Sequence, residues 1–346
     1  MKKHNELITL PNRTNLNKLP WVEKYRPYEI NNIISHKEII RSLKNFIKMM
    51  TLPHLLFFGP SGSGKTSTIM CCANEIYGKY VNCMVLQLNA SNERGIETVR
   101  TKIKNFVSNR NNIFLPIDMR NIFKLVILDE IDSMTVEAQG MLRQIIEKNS
   151  NTTRFCLICN EIDKINIALQ SRCAMFRFSP LNMDDMKEKL LSICEIENIK
   201  YDNKSIDAII KISKGDMRSA INTLQYINIT LDDKITLDNI YKISGHCMPK
   251  INNDIFNILM SLSNKKIKLI ECVNKILGIV IDNNITIFNL LDELKNIVML
   301  SDIQRNKKIY LIDIFAKNEI YDSVNVDLKI VIMIISSSFI IVNNIK

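Results

Sequence analysis

The sequence contains little glycine, proline or tryptophan. Its 346 residues include nine glycines, eight prolines and one tryptophan. This scarcity excludes a collagen-like chain and the Pro- and Gly-rich composition typical of disordered segments. With 46% hydrophobic and 24% charged residues, the composition is that of an ordinary globular protein. At roughly 150 residues per domain, the length predicts two or three domains.

The sequence also predicts no secretory leader and no membrane-spanning run. Residues 1–13 contain no apolar run of the kind that a signal peptide needs. The most apolar stretch, 330–342, contains three serines and is shorter than the ~20 residues that a membrane helix requires. We therefore expect a buried helix there and no membrane partner.

The nine cysteines are odd in number and irregularly spaced, which favours a reducing compartment over a disulfide framework. Cys156 and Cys159 form a C-x-x-C pair, but no second pair or nearby histidine completes a four-ligand zinc site. We interpret both as core cysteines of a strand.

Lys and Arg outnumber Asp and Glu by 46 to 36, which gives a formal net charge of +10. Such an excess is compatible with a polyanionic partner. The chain is also rich in Asn, Ile and Lys, the residues of AT-rich codons, so the charge is weak evidence on its own.

Short apolar runs alternate with longer amphipathic ones between residues 48 and 178. This alternation is typical of a parallel β-sheet covered by helices on both faces. The predicted strands are 54–59, 84–88, 125–129, 155–160 and 174–178, and the predicted helices are 65–77, 96–107 and 136–148.

Beyond Pro180 the pattern is helical throughout. Gly245 and Pro249 mark a boundary within it. The predicted helices are 183–197, 204–213, 216–229, 237–243, 266–281 and 285–299. The sequence therefore predicts an N-terminal extension (1–18), an α/β domain (19–180), a small helical domain (181–247) and a helical C-terminal domain (248–346).

A phosphate-binding motif, G-x-x-x-x-G-K-[ST], lies directly between a predicted strand and a predicted helix. In this context the backbone N–H groups surround phosphates, Lys65 reaches the β- and γ-phosphates, and the Thr66 hydroxyl holds Mg²⁺. Three of the nine glycines fall in this one loop. The predicted ATP-binding residues of the loop are Gly59, Pro60, Ser61, Gly62, Ser63, Gly64, Lys65, Thr66 and Ser67.

The apolar run 125–128 ends in Asp129 and Glu130. In phosphate-loop folds an acidic residue at such a strand end lies beside the loop, where Asp129 can hold Mg²⁺. Glu130 is placed to polarise the attacking water as a general base. An apolar run followed by two acidic residues is, by itself, equally typical of a strand that ends in a turn. Together with the phosphate loop, it favours nucleotide hydrolysis over binding alone.

Several further segments carry a resemblance to a known family. They are 19–27 (LPWVEKYRP), 88–95 (LNASNERG), 129–132 (DEID), Asn160, 171–173 (SRC) and 215–218 (GDMR). From about 19 to 246 the chain resembles the AAA+ clamp-loader small subunits of replication factor C. Within that family 34–36, 155–160 and 244–246 look closest to the small subunit numbered five in vertebrates and three in yeast. Ser61 and Ser63 replace the usual Pro and Thr of the loop.

The resemblance implies roles for three polar residues. Asn160 is similar to the sensor asparagine that positions water and the γ-phosphate, and Arg218 to a second sensor that reaches the γ-phosphate from the small helical, or lid, domain. Arg172 resembles an arginine finger that enters the neighbouring subunit's site. The alternatives are a turn asparagine, a solvated helix arginine and an arginine that pairs with a carboxylate.

The resemblance also implies nucleotide and DNA contacts outside these motifs. Val22, Tyr25, Arg26 and Pro27 match the segment over the adenine; the alternative is an N-terminal clasp without a ligand role. Basic residues after the 88–95 motif track duplex phosphates in the family, although arginines on a helix usually form a solvated face. The predicted DNA-binding residues are Arg94, Arg100 and Arg110, with Lys102 and Lys104 as weaker candidates.

The family implies an AAA+ α/β domain with a helical lid and an all-α collar that joins subunits. It implies an ATP- and Mg²⁺-dependent ATPase in a hetero-pentamer with four other replication factor C subunits, in the nucleus. The complex opens the sliding clamp PCNA and loads it onto primer-template DNA during replication and repair. The alternatives are an ATP-binding scaffold that donates its arginine finger, and a subunit of a related AAA+ checkpoint or helicase loader.

Overall fold

The computed structural model describes residues 19–91, 96–108, 122–230, 235–246, 248–263, 267–322 and 326–342. The chain divides into two compact units. The first extends to Asn198 and includes Ile209–Tyr226; the second contains Ile199–Ala208 and continues from Ile227. The finer division into α/β, lid and collar domains stays a prediction.

The first unit is built on a parallel sheet of five strands in the order β2-β3-β4-β1-β5. The strands are β1 Leu55–Phe58, β2 Val85–Asn89, β3 Lys124–Asp129, β4 Thr153–Cys159 and β5 Ala174–Arg177. Each lies within two residues of its predicted position, and the parallel sheet is confirmed. Because β1 is flanked by β4 and β5, the loop after β1 emerges beside the carboxyl end of β4, where open α/β sheets bind ligands.

Both faces of the sheet are buried, as expected of parallel strands with helices on either side. Leu55 and Phe57 pack in one hydrophobic cluster with Ile69 and Tyr77, whereas the intervening Leu56 packs in a second cluster. This alternation follows from the period of two along a strand. The same rule sends Cys156 into the first cluster and Cys159 into the second, and both are buried. Their interpretation as core cysteines is confirmed.

Helices surround this sheet. They are α1 Trp21–Lys24, α2 Lys37–Lys48, α3 Lys65–Tyr77, α4 Val81–Met84, α5 Ile96–Ser108, α6 Val136–Asn149, α7 Ile167–Gln170 and α8 Met183–Ile196. Short 3₁₀ turns occupy Ile30–Asn32, Gly78–Tyr80, Ile131–Ser133 and Ile162–Lys164. Two further helices, α9 Asn203–Ser213 and α10 Met217–Thr230, contribute residues to both units.

The second unit is helical in its described part. Its remaining helices are α11 Leu237–Ser244, α12 Pro249–Ser263, α13 Leu269–Asp282, α14 Ile287–Leu300, α15 Arg305–Asp322 and α16 Leu328–Val342. One hydrophobic cluster joins α12 to α16, and α16 packs against α12, α13 and α15.

The helix α16 contains the apolar stretch that predicted a buried helix. One face is buried, with Phe339 at 1% exposure, but Ile341 on the other face is 47% exposed. The prediction is therefore correct for only half of the helix, because the neighbouring helices cover one face of α16. The buried Ser336 lies within 4.0 Å of Cys272 Sγ, and the buried Ser338 hydroxyl donates to Ile335 O at 2.6 Å, so its polar atom is satisfied within the helix.

Within the described ranges, none of the helices combines the length and the apolar character needed to cross a bilayer.

Candidate functional site

A pocket of the first unit opens where the carboxyl ends of β1, β3 and β4 meet residues 22–34 and α10. The pocket contains most of the predicted site residues that the structure describes. It is lined by Val22, Glu23, Tyr25, Arg26, Pro27, Asn32, Ile33, Ile34, Ser61, Gly62, Ser63, Gly64, Lys65, Thr66, Ser67, Asp129, Glu130, Asn160, Leu181, Lys189, Met217, Arg218 and Ile221.

The loop from Gly59 to Thr66 connects β1 to α3 and forms one wall of the pocket. Gly59 begins it with φ of +142°, and a Cβ at this position would lie 2.0 Å from Phe178 O. Only glycine therefore allows the loop to leave β1 beside the end of β5. The loop ends on the N-terminus of α3, where unpaired backbone N–H groups and the helix dipole favour an anion.

Lys65 is the buried cation of the pocket, with only 7% exposure. Its Nζ donates to Gly59 O at 2.7 Å, to Pro60 O at 2.8 Å and to Asn160 Oδ1 at 3.0 Å. Burial lowers the pKa of Lys65, the negative charge of Asp129 opposes this shift, and the positive charge of Arg218 adds to it. The loop lysine and the predicted sensor asparagine are thus in direct contact.

Thr66 and Asp129 also meet, since Thr66 Oγ1 donates to Asp129 Oδ2 at 2.8 Å. A hydroxyl and a carboxylate oxygen at the end of β3 are hard donors of the kind that Mg²⁺ prefers. Within the described residues no group of three or more His, Cys, Asp or Glu side chains suits a metal ion. Magnesium in nucleotide sites needs only one or two carboxylates, because the phosphates complete its shell. The residues present therefore fit a magnesium–nucleotide complex.

Glu130 lies next to this pair and lines the pocket. Its backbone is left-handed, with φ of +56°, and its N–H donates to Asp129 Oδ1 at 3.0 Å. One carboxylate therefore contacts both the Thr66 hydroxyl and the backbone of Glu130. Such a backbone is uncommon for a residue other than glycine and is concentrated at functional sites.

The opposite wall comes from α1 and the residues that follow it. Tyr25 OH donates to Glu197, and Lys24 Nζ pairs with the same carboxylate at 2.6 Å. Burial and the neighbouring Glu197 raise the pKa of Tyr25. At the start of α1, Trp21 N donates to Gln225 Oε1 at 3.0 Å. The segment that resembles an adenine cover is therefore fastened at two points, and Val22, Tyr25, Arg26 and Pro27 all line the pocket.

Arg218 stands on the first turn of α10 and lines the pocket. The helix begins at Met217, and Asp216 Oδ1 accepts from Ser219 N at 3.0 Å. Asp216 therefore caps this helix, which begins one residue after its predicted start.

Arg172 lies outside the pocket lining of its own chain. Its guanidinium donates to Ala168 O at 2.8 Å and pairs with Glu147 at 2.5 Å, while its side chain remains 34% exposed. A hydrogen bond from Arg143 and the charge of Arg172 lower the pKa of Glu147. Arg172 therefore forms the ion pair with a carboxylate, here that of Glu147, which the alternative interpretation predicted.

Two of the three predicted DNA contacts, Arg94 and Arg110, lie outside the described residues. Arg100 lies on α5, where its side chain is exposed together with those of Lys102 and Lys104, while Ile103 is buried. The basic side chains of α5 therefore lie on its solvent side.

The structure also brings to the site residues to which the sequence assigned no role there. His36 Nε2 lies 3.2 Å from Ser63 O, and burial lowers the pKa of His36. Asp132 Oδ2 accepts from Asn160 N at 3.0 Å, which orients the end of β4. The DEID spacing placed Asp132 near the site, whereas only tertiary packing brings Lys189 and Ile221 to the pocket.

Comparisons with known proteins agree with this geometry. Residues 55–181 match the model of the family "ATPase family associated with various cellular activities (AAA)". The RuvB Holliday junction branch migration motor of Thermotoga maritima superposes with a TM-score of 0.51 at 16% identity, covering 69% of this chain and 79% of that one. This likeness shows an AAA+ fold. The matched residues form an AAA ATPase domain.

Closer relatives narrow the family. A putative replication factor C small subunit of Acanthamoeba polyphaga mimivirus is 68% identical over 97% of this chain and 98% of its own length. Replication factor C subunit 3 of Schizosaccharomyces pombe is 42% identical over 87% of this chain and 84% of its own. Replication factor C subunit 5 of Homo sapiens is 47% identical over 72% and 71%. These names confirm the predicted subunit type, and the chain belongs to the replication factor C small-subunit family of AAA ATPases.

Proposed function

We propose that the chain is an ATPase subunit of a hetero-pentameric clamp loader, which opens the sliding clamp PCNA and loads it onto primer-template DNA. The observation that carries the proposal is the pair of contacts Lys65–Asn160 and Thr66–Asp129. They unite the four residues that the family uses around the terminal phosphate. The clamp and DNA are proposed as partners because of family membership.

The chain's own residues divide the work within the pocket. The backbone N–H groups from Gly62 to Ser67 bind the phosphates at the start of α3, and Lys65 neutralises their charge. Thr66 and Asp129 hold magnesium, which supplies positive charge where negative charge develops during phosphoryl transfer.

Three further residues act on the terminal phosphate and the water. Glu130 accepts the proton of the attacking water, and its backbone bond to Asp129 holds it beside the magnesium-binding residues. Asn160, oriented by Asp132, positions the water. Arg218 lines the pocket from α10 and would contact the γ-phosphate there.

Arg172 acts on the site of a neighbouring subunit. Its position outside the lining of its own pocket and its partial exposure support this role. Glu147 holds the guanidinium until a neighbour's nucleotide competes for it. Arginine fingers are worth ~10³–10⁵ in rate, so the isolated chain is expected to hydrolyse ATP slowly.

The DNA contact of the proposal rests on the basic face of α5. Arg100 would bind phosphates without reading sequence. Binding through such contacts weakens steeply as salt rises. The nucleus as the place of action rests on the family alone.

Steady-state ATP hydrolysis tests the proposal. The chain is assayed alone and with four partner subunits, with and without clamp and primed DNA, as wild type and as Arg172→Ala. We expect strong stimulation only in the full mixture, and Arg172→Ala should lower total turnover while the complex still assembles. Arg177→Ala, which changes an arginine of β5 outside the pocket lining, is the matched control. Fast turnover by the isolated chain, indifferent to partners and to Arg172, would contradict the proposal.

A further inference from the structure

The tip of the phosphate loop contacts the start of α10. Ser61 Oγ donates to Asp216 Oδ2 at 2.8 Å, and Met217 N donates to Gly62 O at 3.4 Å. Two consecutive residues of the loop are thus bonded to two consecutive residues at the helix N-terminus.

Gly62 makes this close approach possible. Its φ is +64°, and a Cβ at this position would lie 1.7 Å from Asp216 Oδ1. A larger residue would strain the backbone and displace the Asp216 carboxylate at the same time. Glycine is therefore required at position 62 for two reasons: the positive φ of the turn and the close contact with Asp216.

Asp216 also determines where α10 begins. While Oδ2 accepts from Ser61, Oδ1 accepts from Ser219 N at 3.0 Å, which is the arrangement of an N-cap. A single carboxylate thus holds both the loop and the first turn of the helix. Arg218 stands on that first turn, so the position of its backbone depends on this carboxylate.

We propose that Ser61 and Asp216 are positioning residues that form a polar latch and hold Arg218 at the terminal phosphate of ATP. The inference rests on the role proposed above for Arg218. The latch depends on the Ser61 hydroxyl, which donates the hydrogen bond to Asp216. The proline that is usual at this position in the family has no such donor. Since Arg218 meets only the γ-phosphate, the latch strengthens ATP binding and leaves ADP binding unaffected.

Titration of the full-length chain with fluorescent mant-ATP and mant-ADP, each with Mg²⁺, tests the latch through the ratio of the two dissociation constants. Arg218→Ala should lower the preference for ATP about tenfold, as expected when a charge-assisted contact is lost. Ser61→Ala should lower it about threefold, the effect of losing one exposed hydrogen bond to a carboxylate. Ser61→Thr keeps the hydroxyl and should restore the preference.

Two additional variants complete the test. Ser42→Ala removes an exposed hydroxyl that is bonded to Glu38 O within α2 and is the matched control. In the double variant Ser61→Ala/Arg218→Ala the latch has no arginine to position, so the loss should equal that of Arg218→Ala alone. Unfolding midpoints confirm that each variant is folded.

The outcomes separate the two proposals. If Arg218→Ala lowers the ATP preference but Ser61→Ala leaves it unchanged, or weakens ATP and ADP equally, the latch is overturned and the role of Arg218 stands. Additive losses in the double variant overturn the latch as well. If Arg218→Ala itself leaves the preference unchanged, the role of Arg218 fails and the latch fails with it.

Discussion

The two compact units place left-handed backbone in different surroundings. In the first unit His36 and Glu130 both have φ of +56°; one contacts the phosphate loop and the other lines the pocket. In the second unit Gly245 and Asn284 have positive φ and follow the ends of α11 and α13, where such residues terminate helices. Positive φ therefore occurs in the first unit both at the pocket and at helix ends such as Met50 and Asn198, whereas Gly245 and Asn284 of the second unit lie only at helix ends.

The interiors of the units differ in the same way. The first unit buries the Lys65 ammonium and satisfies it with carbonyl groups. The second unit buries apolar side chains such as Phe315 and Phe339, and the buried polar side chains among its described residues, such as Asn318, are uncharged. A change in the first interior should therefore act on function, whereas a change in the second should act on stability.

The largest effect is expected from Glu130→Gln. The substitution removes the proposed base with little change in shape, so turnover with the partner subunits should fall ~10²–10⁴-fold while ATP still binds. Steady-state hydrolysis and nucleotide titration measure the two quantities. The control is Glu271→Gln, an exposed glutamate of α13 in the second unit. Unchanged clamp loading by Glu130→Gln would instead favour an ATP-binding scaffold.

Phe339→Ala tests whether a change in the interior of the second unit acts on stability rather than on function. Removing a fully buried phenyl ring leaves a cavity and should lower the free energy of unfolding by ~3–5 kcal/mol, measured by urea denaturation. Ile341→Ala on the exposed face of the same helix should cost far less. We expect the ATP affinity of Phe339→Ala to stay near that of the wild type; a large loss of affinity would show that the units do not act separately.

Acid should destabilise the first unit through His54. Its Nδ1 accepts from Phe155 N at 3.2 Å, and burial, followed by the charge of Arg154, lowers its pKa from 6.5 to about 4. Because the unfolded chain binds a proton below pH 6.5 and the folded chain does not, the free energy of unfolding falls as pH drops from 6.5 to about 4. Because His54 is only partly buried, solvent screening reduces the loss attributable to it to about 1–2 kcal/mol.

The variant His54→Asn isolates this contribution from that of the carboxylates. Urea denaturation at a series of pH values should show a flatter dependence for His54→Asn than for the wild type between pH 6.5 and 4. Parallel curves would mean that His54 titrates normally.

The smallest effect is expected from Glu197→Gln. This change weakens the bonds to Tyr25 and Lys24 that fasten the segment over the pocket. Because the pair is partly exposed, the loss is at most ~1 kcal/mol, and ATP affinity should fall no more than about fivefold. Mant-ATP titration measures it, with Glu161→Gln, which breaks the exposed pair with Lys164, as the control. An effect as large as that of Arg218→Ala would show that this wall dominates binding.

The parts of the fold that could be predicted are those where local chemistry restricts the sequence. The helix α3 has its predicted bounds, 65–77, because the phosphate loop fixes its start and Gly78 its end. Asp129 and Asn160 could be placed together because they lie at the carboxyl ends of two strands of the same parallel sheet, and Thr66 could be added because the loop after β1 leads to it.

What could not be predicted depends on long-range packing. Nothing near Ser61 in the sequence indicates that its hydroxyl meets Asp216, 155 residues away. The apolar residues of 330–342 likewise do not reveal which face the neighbouring helices cover.

The hydrogen bonds of Lys65 have a consequence for how the pocket receives its ligand. The ammonium group becomes buried when the chain folds, and the loop's own carbonyls accept its hydrogen bonds. An arriving phosphate therefore replaces these carbonyl oxygens as the acceptor. The lysine is preorganised by folding, and ATP binding at this position is an exchange of oxygen partners.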